Sequence, residues 1–189
     1  MDHLINEIET IIGIKFNQKT LLSKSVIHKS LLNENPDLSL ESNERLEFLG
    51  DSIIQTAVSD LLYNKHPDWN EGTLSQARSK LVNRESLARL SIKLGLGKYL
   101  RISNGEEESG GRNKESNLAD AFEALVGAIF LDQGFDTAQS FVNSFMLPLD
   151  IQNPTPKDLL DSKSMLQIKI QQDDNSSETG KRIKYKTIS

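Results

Sequence analysis

Apolar residues recur at helical spacing through most of this 189-residue chain. Glycine, proline and short polar stretches interrupt the pattern, and before residue 150 we find no run that alternates with the two-residue period of a strand. This periodicity predicts an all-α fold for residues 1–150. The segments with the clearest helical spacing are residues 5–14, 21–32, 44–65, 74–94 and 117–132.

The character of the sequence changes after residue 150. Residues 151–163 are polar, contain two prolines and predict a linker. Residues 164–189 favour one short helix and then a strand that carries four basic residues. We therefore expect a short, incomplete α+β tail that is too small to bury a core of its own.

Composition excludes several classes of function. With no cysteine and three scattered histidines, neither disulfides nor a Cys/His zinc site is expected. The longest apolar run, residues 125–131, is too short to cross a bilayer, and the polar N-terminus is unlike a signal peptide. We therefore expect a cytoplasmic protein without a membrane partner. The net charge of −5 argues only weakly against a polyanionic partner, because acids gathered at a metal site also lower it.

The segment NERLEFLGDS, residues 43–52, places acids on an otherwise apolar helix. Glu44, Glu47 and Asp51 are spaced i, i+3 and i+7, which puts them within ~60° of one another on one helix face. The same helix is apolar nearly all round and is therefore expected to be buried. Carboxylates brought together away from water repel one another and favour protonation unless a cation compensates them.

A second apolar segment, NLADAFEALVGAIF, repeats the arrangement with Asp120 and Glu123 at i and i+3. Ala124 and Gly127 share that face, and such small residues let another helix approach closely. If the two acidic faces meet, four hard oxygen ligands would surround one or two Mg²⁺ ions. These ligands would be Glu47, Asp51, Asp120 and Glu123.

Two other interpretations of these acids compete with a Mg²⁺ site. An acid pair on one helix is usually a solvated face or a partner for nearby Lys and Arg, but its repetition on two apolar helices weakens that interpretation. A di-iron carboxylate bundle needs a Glu-x-x-His motif on two helices, and the sequence contains none.

NERLEFLGDS closely resembles the signature of the ribonuclease III family. The segments VIHKSLLNE, EGTLSQARSKLVNRESLA and SGGRNKESNLADAFEALVGAIFLD resemble its other motifs in the family's order. The resemblance covers residues 5–149 and implies an all-helical, homodimeric domain that cleaves double-stranded RNA. It further implies Mg²⁺ as cofactor, with Mn²⁺ as a substitute, and 5′-phosphate and 3′-hydroxyl ends. Roles in ribosomal RNA maturation and in mRNA processing and decay follow by analogy.

By motif match, the resemblance makes the four acids metal ligands, with Asp51 and Glu123 as catalytic residues. Glu44 and Glu71 match acids that line the family's catalytic valley. Phe48 matches an aromatic residue that packs across the dimer interface, with ordinary core packing as the alternative.

Basic residues near the motifs are candidates for RNA contacts, because duplex RNA is recognised mainly through its backbone, 2′-hydroxyls and shape. Ordinary solvated surface is an equal alternative for each of them. The candidates are Arg78, Lys80, Arg84, Arg112 and Lys114. Residues 105–111, GEEESGG, are expected to form a mobile acidic loop.

Residues 164–189 resemble the beginning of the double-stranded RNA-binding domain that follows the catalytic domain in the usual bacterial enzyme, so that domain is expected to be truncated here. Weak, salt-sensitive affinity for duplex RNA would follow. Two alternatives remain open. One is a catalytically silent ribonuclease III-like RNA-binding or ribosome-associated module, which the presence of all six acids disfavours. The other is a short family member that lacks the RNA-binding domain and trims ribosomal RNA precursors.

Overall fold

The structure is a computed structural model that describes residues 2–146. The chain divides into two compact units, Met1–Asp150 and Ile151–Ser189, and the described residues all belong to the first. The predicted linker and C-terminal tail lie outside them. Residues 2–146 contain nine α-helices and no β-strand, so the predicted all-α fold is confirmed for this part of the chain.

The helices are α1 (Asp2–Ile12), α2 (Lys19–Ser25), α3 (Lys29–Glu34), α4 (Glu44–Lys65), α5 (Glu71–Leu81), α6 (Arg84–Leu94), α7 (Asn104–Glu108), α8 (Glu115–Gln133) and α9 (Phe135–Met146). No helix among the described residues has the length and apolar character that crossing a membrane requires.

The two longest helices, α4 and α8, cross in unusually close contact at a pair of glycines. A Cβ atom on Gly50 would lie 1.8 Å from the carbonyl oxygen of Glu123, and one on Gly127 would lie 2.3 Å from that of Leu46. No side chain fits at these distances, so glycine at both positions is what allows the helix backbones to touch. The crossing places residues of the α4 signature directly beside the acids of α8.

Helix α8 is the centre of the core, with α2, α6 and α9 packed around it. Phe122 is fully buried, and its ring meets those of Phe141 and Phe145 from α9 at centroid distances of 6.0 and 6.1 Å. The expectation of burial on all sides is therefore met by α8. It is wrong for α4, where Phe48 and Tyr63 are 78% and 71% exposed. One stripe of α4 packs on the core and the opposite stripe faces solvent.

Two segments that the periodicity predicts as continuous helices are interrupted. His28 is extended, and its ring accepts a hydrogen bond from the Ser30 N–H at the start of α3. The backbone N–H of His28 donates to the carbonyl oxygen of Arg101 at 3.0 Å. This bond belongs to an isolated parallel β-bridge between Ile27 and Arg101. Asn83 likewise starts a new helix, α6, by accepting from a backbone N–H. The side chains of His28 and Asn83 cap the starts of α3 and α6 and so favour a break in the helix at these residues. The spacing of apolar residues contains no information about such caps.

The acidic stretch at residues 105–111 is folded, contrary to the expected mobile loop. It forms α7 and leads into a 3₁₀ turn at Gly111–Asn113. Lys114 Nζ donates to Glu106 Oε1 at 2.8 Å, and Asn117 Nδ2 donates to the same oxygen at 2.9 Å. Because the Lys114 charge and the Asn117 amide both stabilise the Glu106 carboxylate, the acidic run is held in a defined conformation. Helix α9 is not among the five segments with the clearest helical spacing. It packs against α8 and α4.

Candidate metal centre

Three carboxylates converge beside the glycine crossing. Glu47 comes from α4, while Asp120 and Glu123 come from successive turns of α8. One oxygen atom from each lies within 4.8 Å of the others, and all three residues are half-buried. The glycines Gly50 and Gly127 set this geometry, since bulkier residues there would separate the two helix faces.

The cluster is electrostatically costly as it stands. Burial raises the pKa of Glu123 to about 8, and the negative charges of Asp51, Asp120 and Glu47 add to that shift. Burial also raises the pKa of Glu47, with further contributions from Asp120 and Glu44. The pKa of Asp120 is raised as well, again mainly by burial. In each acid the charged form is therefore less favourable than in an isolated carboxyl group, and a bound cation would stabilise it.

Two basic side chains flank the cluster and offset part of this repulsion. Arg84 lowers the pKa of both Asp120 and Glu123, and Lys29 lowers that of Glu47 and Asp120. Burial outweighs both cations, because the pKa of each of the three acids stays above its ordinary value. The two cations therefore compensate the carboxylates only in part, and a further cation would stabilise their charged forms.

Asp51 lies beside the cluster rather than within it. Gln55, one turn further along α4, donates from Nε2 to both Asp51 carboxylate oxygens at 3.0 and 2.9 Å. The charge of Asp51 is nevertheless the largest electrostatic contribution to the raised pKa of Glu123. Of the four predicted metal ligands, the structure brings three together and places the fourth close enough to act on them.

The donor set fits a hard divalent cation. Carboxylate oxygens suit Mg²⁺ and Mn²⁺, which in proteins are commonly held by a few acids and complete their shells with water. Glu47, Asp120 and Glu123 supply three such groups, and half-burial leaves one side open to solvent. A bound cation would also remove the repulsion that raises the pKa of these acids.

The two predicted valley acids lie in different places. Glu44 begins α4 and is close enough to the cluster to raise the pKa of Glu47. Its two oxygens accept hydrogen bonds from Lys29 Nζ at 3.1 Å and from Ser42 Oγ at 3.0 Å. Glu71 begins α5 and lines a separate cavity of about 650 Å³. Within residues 2–146, Glu71 is not part of the acid cluster.

Phe48 does not pack in the core of the described chain. Its 78% exposure excludes the alternative of ordinary core packing within residues 3–146. The cavity that Glu71 lines lies between α4 and α5 and has mainly apolar walls, which include Tyr63, Trp69 and Leu74. Phe48 and Tyr63 project from the same exposed stripe of α4, since their spacing of 15 residues returns to nearly the same face.

The five basic candidates for RNA contacts differ in how the protein engages them. Lys80 and Arg84 are exposed, and Arg78 donates to Ser59 Oγ at 2.9 Å inside the same cavity. Arg112 Nη1 donates to three backbone carbonyl oxygens, and its Nε donates to Glu107 at 2.6 Å. Lys114 is held by Glu106 and by a serine. Arg112 and Lys114 thus hold the α7 segment in place.

Comparison with known proteins decides the family. The family described as Ribonuclease-III-like matches residues 18–149 of the chain. The Ribonuclease 3 of Dehalococcoides mccartyi strain CBDB1 is 44% identical over 167 residues, which are 88% of this chain and 70% of that protein. This chain belongs to the ribonuclease III family. The Ribonuclease 3 of Oceanobacillus iheyensis is 42% identical over 168 residues, or 89% of this chain and 73% of the relative.

A solved structure of the ribonuclease III nuclease domain from Campylobacter jejuni has the same fold. It superposes with a TM-score of 0.71 at 37% identity and covers 76% of this chain and 96% of that one. Its description concerns flexibility in a region of that protein involved in dimer formation. The chain carries the nuclease domain of its family and is an endoribonuclease of the double-stranded RNA-specific ribonuclease III type.

Sequence reasoning missed two features of the centre. Gly50 is part of the quoted signature, and its position between Leu49 and Asp51 was the available signal for a close helix crossing. Lys29 had no such signal, because only the folded chain brings α3 beside the start of α4.

Proposed function

We propose that this ribonuclease III-family chain is a Mg²⁺-dependent, homodimeric enzyme that hydrolyses phosphodiester bonds in double-stranded RNA and leaves 5′-phosphate and 3′-hydroxyl ends. The observation that carries the proposal is the convergence of Glu47, Asp120 and Glu123, whose pKa values stay raised although Lys29 and Arg84 lie nearby. Ribosomal RNA maturation and mRNA processing and decay in the cytoplasm are its proposed settings, by analogy with the family.

In this proposal, Glu47, Asp120 and Glu123 hold the cation. Asp51 joins them by a side-chain rotation that releases the amide of Gln55. When bound, Mg²⁺ supplies Lewis-acid polarisation of a phosphoryl oxygen and acidifies a water molecule. The protein contributes ligand position, because the backbones of α4 and α8 touch at the glycine crossing and fix the spacing of the acids. Glu123 is proposed to exchange its proton for the cation, since the pKa of about 8 keeps it largely protonated at neutral pH.

The proposed dimer uses the exposed stripe of α4. Phe48 and Tyr63 both expose their rings on this stripe, and the apolar cavity beside Tyr63 offers a place for a partner's ring. In a two-fold dimer, Phe48 of each protomer would enter the cavity of the other. Because Glu71 lines that cavity, pairing would carry the second protomer's Glu71 toward the acid cluster, consistent with its proposed role as a valley acid.

The division into domains is also proposed. We assign residues 1–150 to the catalytic domain, residues 151–163 to a linker and residues 164–189 to the start of a double-stranded RNA-binding domain. The family match at residues 18–149 and the compact unit Met1–Asp150 support the first boundary.

One cleavage assay tests the activity. The purified chain is incubated with a long RNA duplex and with the matching single strand, in Mg²⁺, in Mn²⁺ and in chelator, and the product ends are mapped. We expect cleavage of the duplex alone, in either metal, with 5′-phosphate and 3′-hydroxyl ends. Activity in chelator, or cleavage of the single strand only, contradicts the proposal. Binding of the duplex without cleavage would instead favour the silent module.

The oligomeric state is tested separately by sedimentation or light scattering. Phe48→Glu places a charge where the proposed interface is apolar, so the variant is expected to be monomeric at micromolar concentration. Ile92→Ala is the control, because Ile92 is also a large exposed hydrophobic residue, at 62%, but lies on α6. A Phe48→Glu protein that stays dimeric argues against this interface.

A further inference from the structure

Lys29 occupies a rigid position beside the candidate metal centre. The extended residues before it are tied on both sides: the Arg101 N–H donates to the Val26 carbonyl at 2.8 Å, and the Asn43 N–H donates to that of Ile27 at 2.8 Å. Asn43 immediately precedes α4, so these bonds fix the start of α3 against the start of the signature helix. These bonds hold the backbone that leads into Lys29 next to the start of α4.

The Lys29 ammonium group lies at the acidic edge of the site. Its Nζ atom is 3.1 Å from Glu44 Oε1, the one partner recorded for this ammonium among residues 2–146. Its charge also reaches Glu47 and Asp120, two of the clustered carboxylates. An ammonium group has three N–H donors. Two of them stay available beside the metal centre while the third engages Glu44.

Stability does not explain this arrangement. The side chains of Lys29 and Glu44 are 58% and 53% exposed, and ion pairs that exposed contribute little to folding. The pair Lys24–Glu41 provides a comparison, since it has the same chemistry and lies between α2 and the loop that precedes α4. Neither member of that pair is among the groups that shift the pKa of the clustered acids.

Other cations near the centre are placed differently. Arg112 and Lys114 are committed to carbonyl and carboxylate groups of their own segment. Arg84 acts on Asp120 and Glu123, whereas Lys29 acts on Glu47 and Asp120. Both side chains are exposed, and both lower the pKa of Asp120.

We propose that Lys29 is a substrate-binding residue of the metal centre and donates to a non-bridging phosphate oxygen of the RNA strand being cut. The inference rests on the proposed function, because it requires a phosphodiester at the acid cluster. Once a divalent cation neutralises the carboxylates, the field that holds the ammonium toward the acids is reduced. Its free N–H groups then meet an anion at the same edge, and lysine binds phosphate well as a compact charge.

The experiment compares Lys29→Met, Lys29→Arg and the control Lys24→Met with the unaltered chain. Equilibrium affinity for a labelled RNA duplex is measured in Ca²⁺ over a series of salt concentrations, and single-turnover cleavage is measured in Mg²⁺. Thermal unfolding checks that each protein is folded. Lys24→Met removes another lysine–glutamate ion pair, neither member of which shifts the pKa of the clustered acids.

For Lys29→Met we expect about tenfold weaker binding and a slope of log affinity against log salt that is smaller by about one. Lys29→Arg should restore most of the affinity, because it keeps the charge. Lys24→Met should match the unaltered chain. Wild-type affinity and salt slope in Lys29→Met overturn the inference, as does a variant whose only defect is weaker Mg²⁺ binding. Failure of the unaltered chain to cut duplex RNA overturns the proposed function instead, so the two failures are distinguishable.

Discussion

Glu9 and Glu123 are both at least half-buried, yet the fold shifts their pKa values in opposite directions. Glu9 is 3% exposed, and each of its oxygens has a donor: Lys15 Nζ at 2.9 Å and the Phe16 N–H at 2.8 Å. The Lys15 hydrogen bond is the main reason why the pKa of Glu9 is lowered. Among residues 2–146, no hydrogen-bond donor to the Glu123 carboxylate is recorded, and burial raises its pKa to about 8.

The difference separates a carboxylate that stabilises the fold from carboxylates that we propose bind a cation. A buried acid with both oxygens satisfied contributes to folding, whereas clustered acids without donors destabilise it until a cation enters. The predictions that follow test this contrast, starting with the largest expected effect.

Removing the charge of Glu123 should abolish activity without harming the fold. We expect Glu123→Gln to lower the cleavage rate by on the order of 10³-fold or more, because metal catalysis of hydrolysis contributes several kcal/mol. Thermal stability should be unchanged or higher, since the repulsion within the cluster decreases. Turnover and the melting temperature are measured on the same preparation.

Glu115→Gln is the matched control, because Glu115 lies on the same helix, exposed and outside the cluster. It should leave both quantities unchanged. A Glu123→Gln enzyme with wild-type turnover in Mg²⁺ would show that Glu123 is not a ligand. One that melts far below the unaltered chain would place Glu123 with Glu9 as a structural residue.

Adding a methyl group at the helix crossing should damage both the fold and the site. Gly50→Ala forces a Cβ atom to within 1.8 Å of the Glu123 carbonyl oxygen, so α4 and α8 must separate. We expect a loss of about 3 kcal/mol in the free energy of unfolding, together with reduced cleavage in the folded fraction. Gly105→Ala is the control, since its Cβ would meet nothing within 4 Å. Urea unfolding that gives equal stabilities for the two variants would contradict the role of the crossing.

Neutralising Glu9 should affect stability alone. Glu9→Gln is expected to lower the free energy of unfolding by about 2 kcal/mol at pH 7, because a charged hydrogen bond becomes a neutral one in a buried place. Since the folded-state pKa of Glu9 lies below its ordinary value of 4.5, this stabilisation is complete above pH 4.5 and disappears as the pH falls further. The two stability curves should therefore converge in acid. Glu7→Gln, at a more exposed position on α1, is the control and should change stability by less than about 0.5 kcal/mol.

Mg²⁺ should stabilise the folded chain modestly and in a pH-dependent way. At ten times its dissociation constant, a bound ion adds about 1.4 kcal/mol. Because the pKa of Glu123 is raised, protein without bound metal loses stability as the pH rises from 4.5 to about 8, where Glu123 becomes charged. The increase in melting temperature caused by Mg²⁺ should thus be larger at pH 8 than at pH 6. An increase that persists in Glu123→Gln would locate the ion elsewhere.

The sequence predicts the helices that carry the acids and misses the breaks between others. Helix α4 spans Glu44–Lys65, the same residues that the periodicity indicates, because its apolar spacing runs without interruption. The breaks at His28 and Asn83 depend on single side chains that accept from nearby backbone N–H groups. Helix α7 depends on Lys114 and Asn117, which donate hydrogen bonds to Glu106 from eight and eleven residues further along the chain. Local periodicity contains neither kind of information.

The sequence by itself determined the chemistry of this protein: two helices with acids at turn spacing, no cysteine, and a family signature that indicates cleavage of RNA. Only the tertiary structure decided which acids meet, that Asp51 lies beside the cluster, that Phe48 is exposed, and that Lys29 borders the site. The physical reason is the sequence separation of the interacting residues. Helical periodicity reports which face of a helix is apolar, whereas the pKa of an acid and the partner of a charge depend on atoms that folding brings from remote parts of the chain.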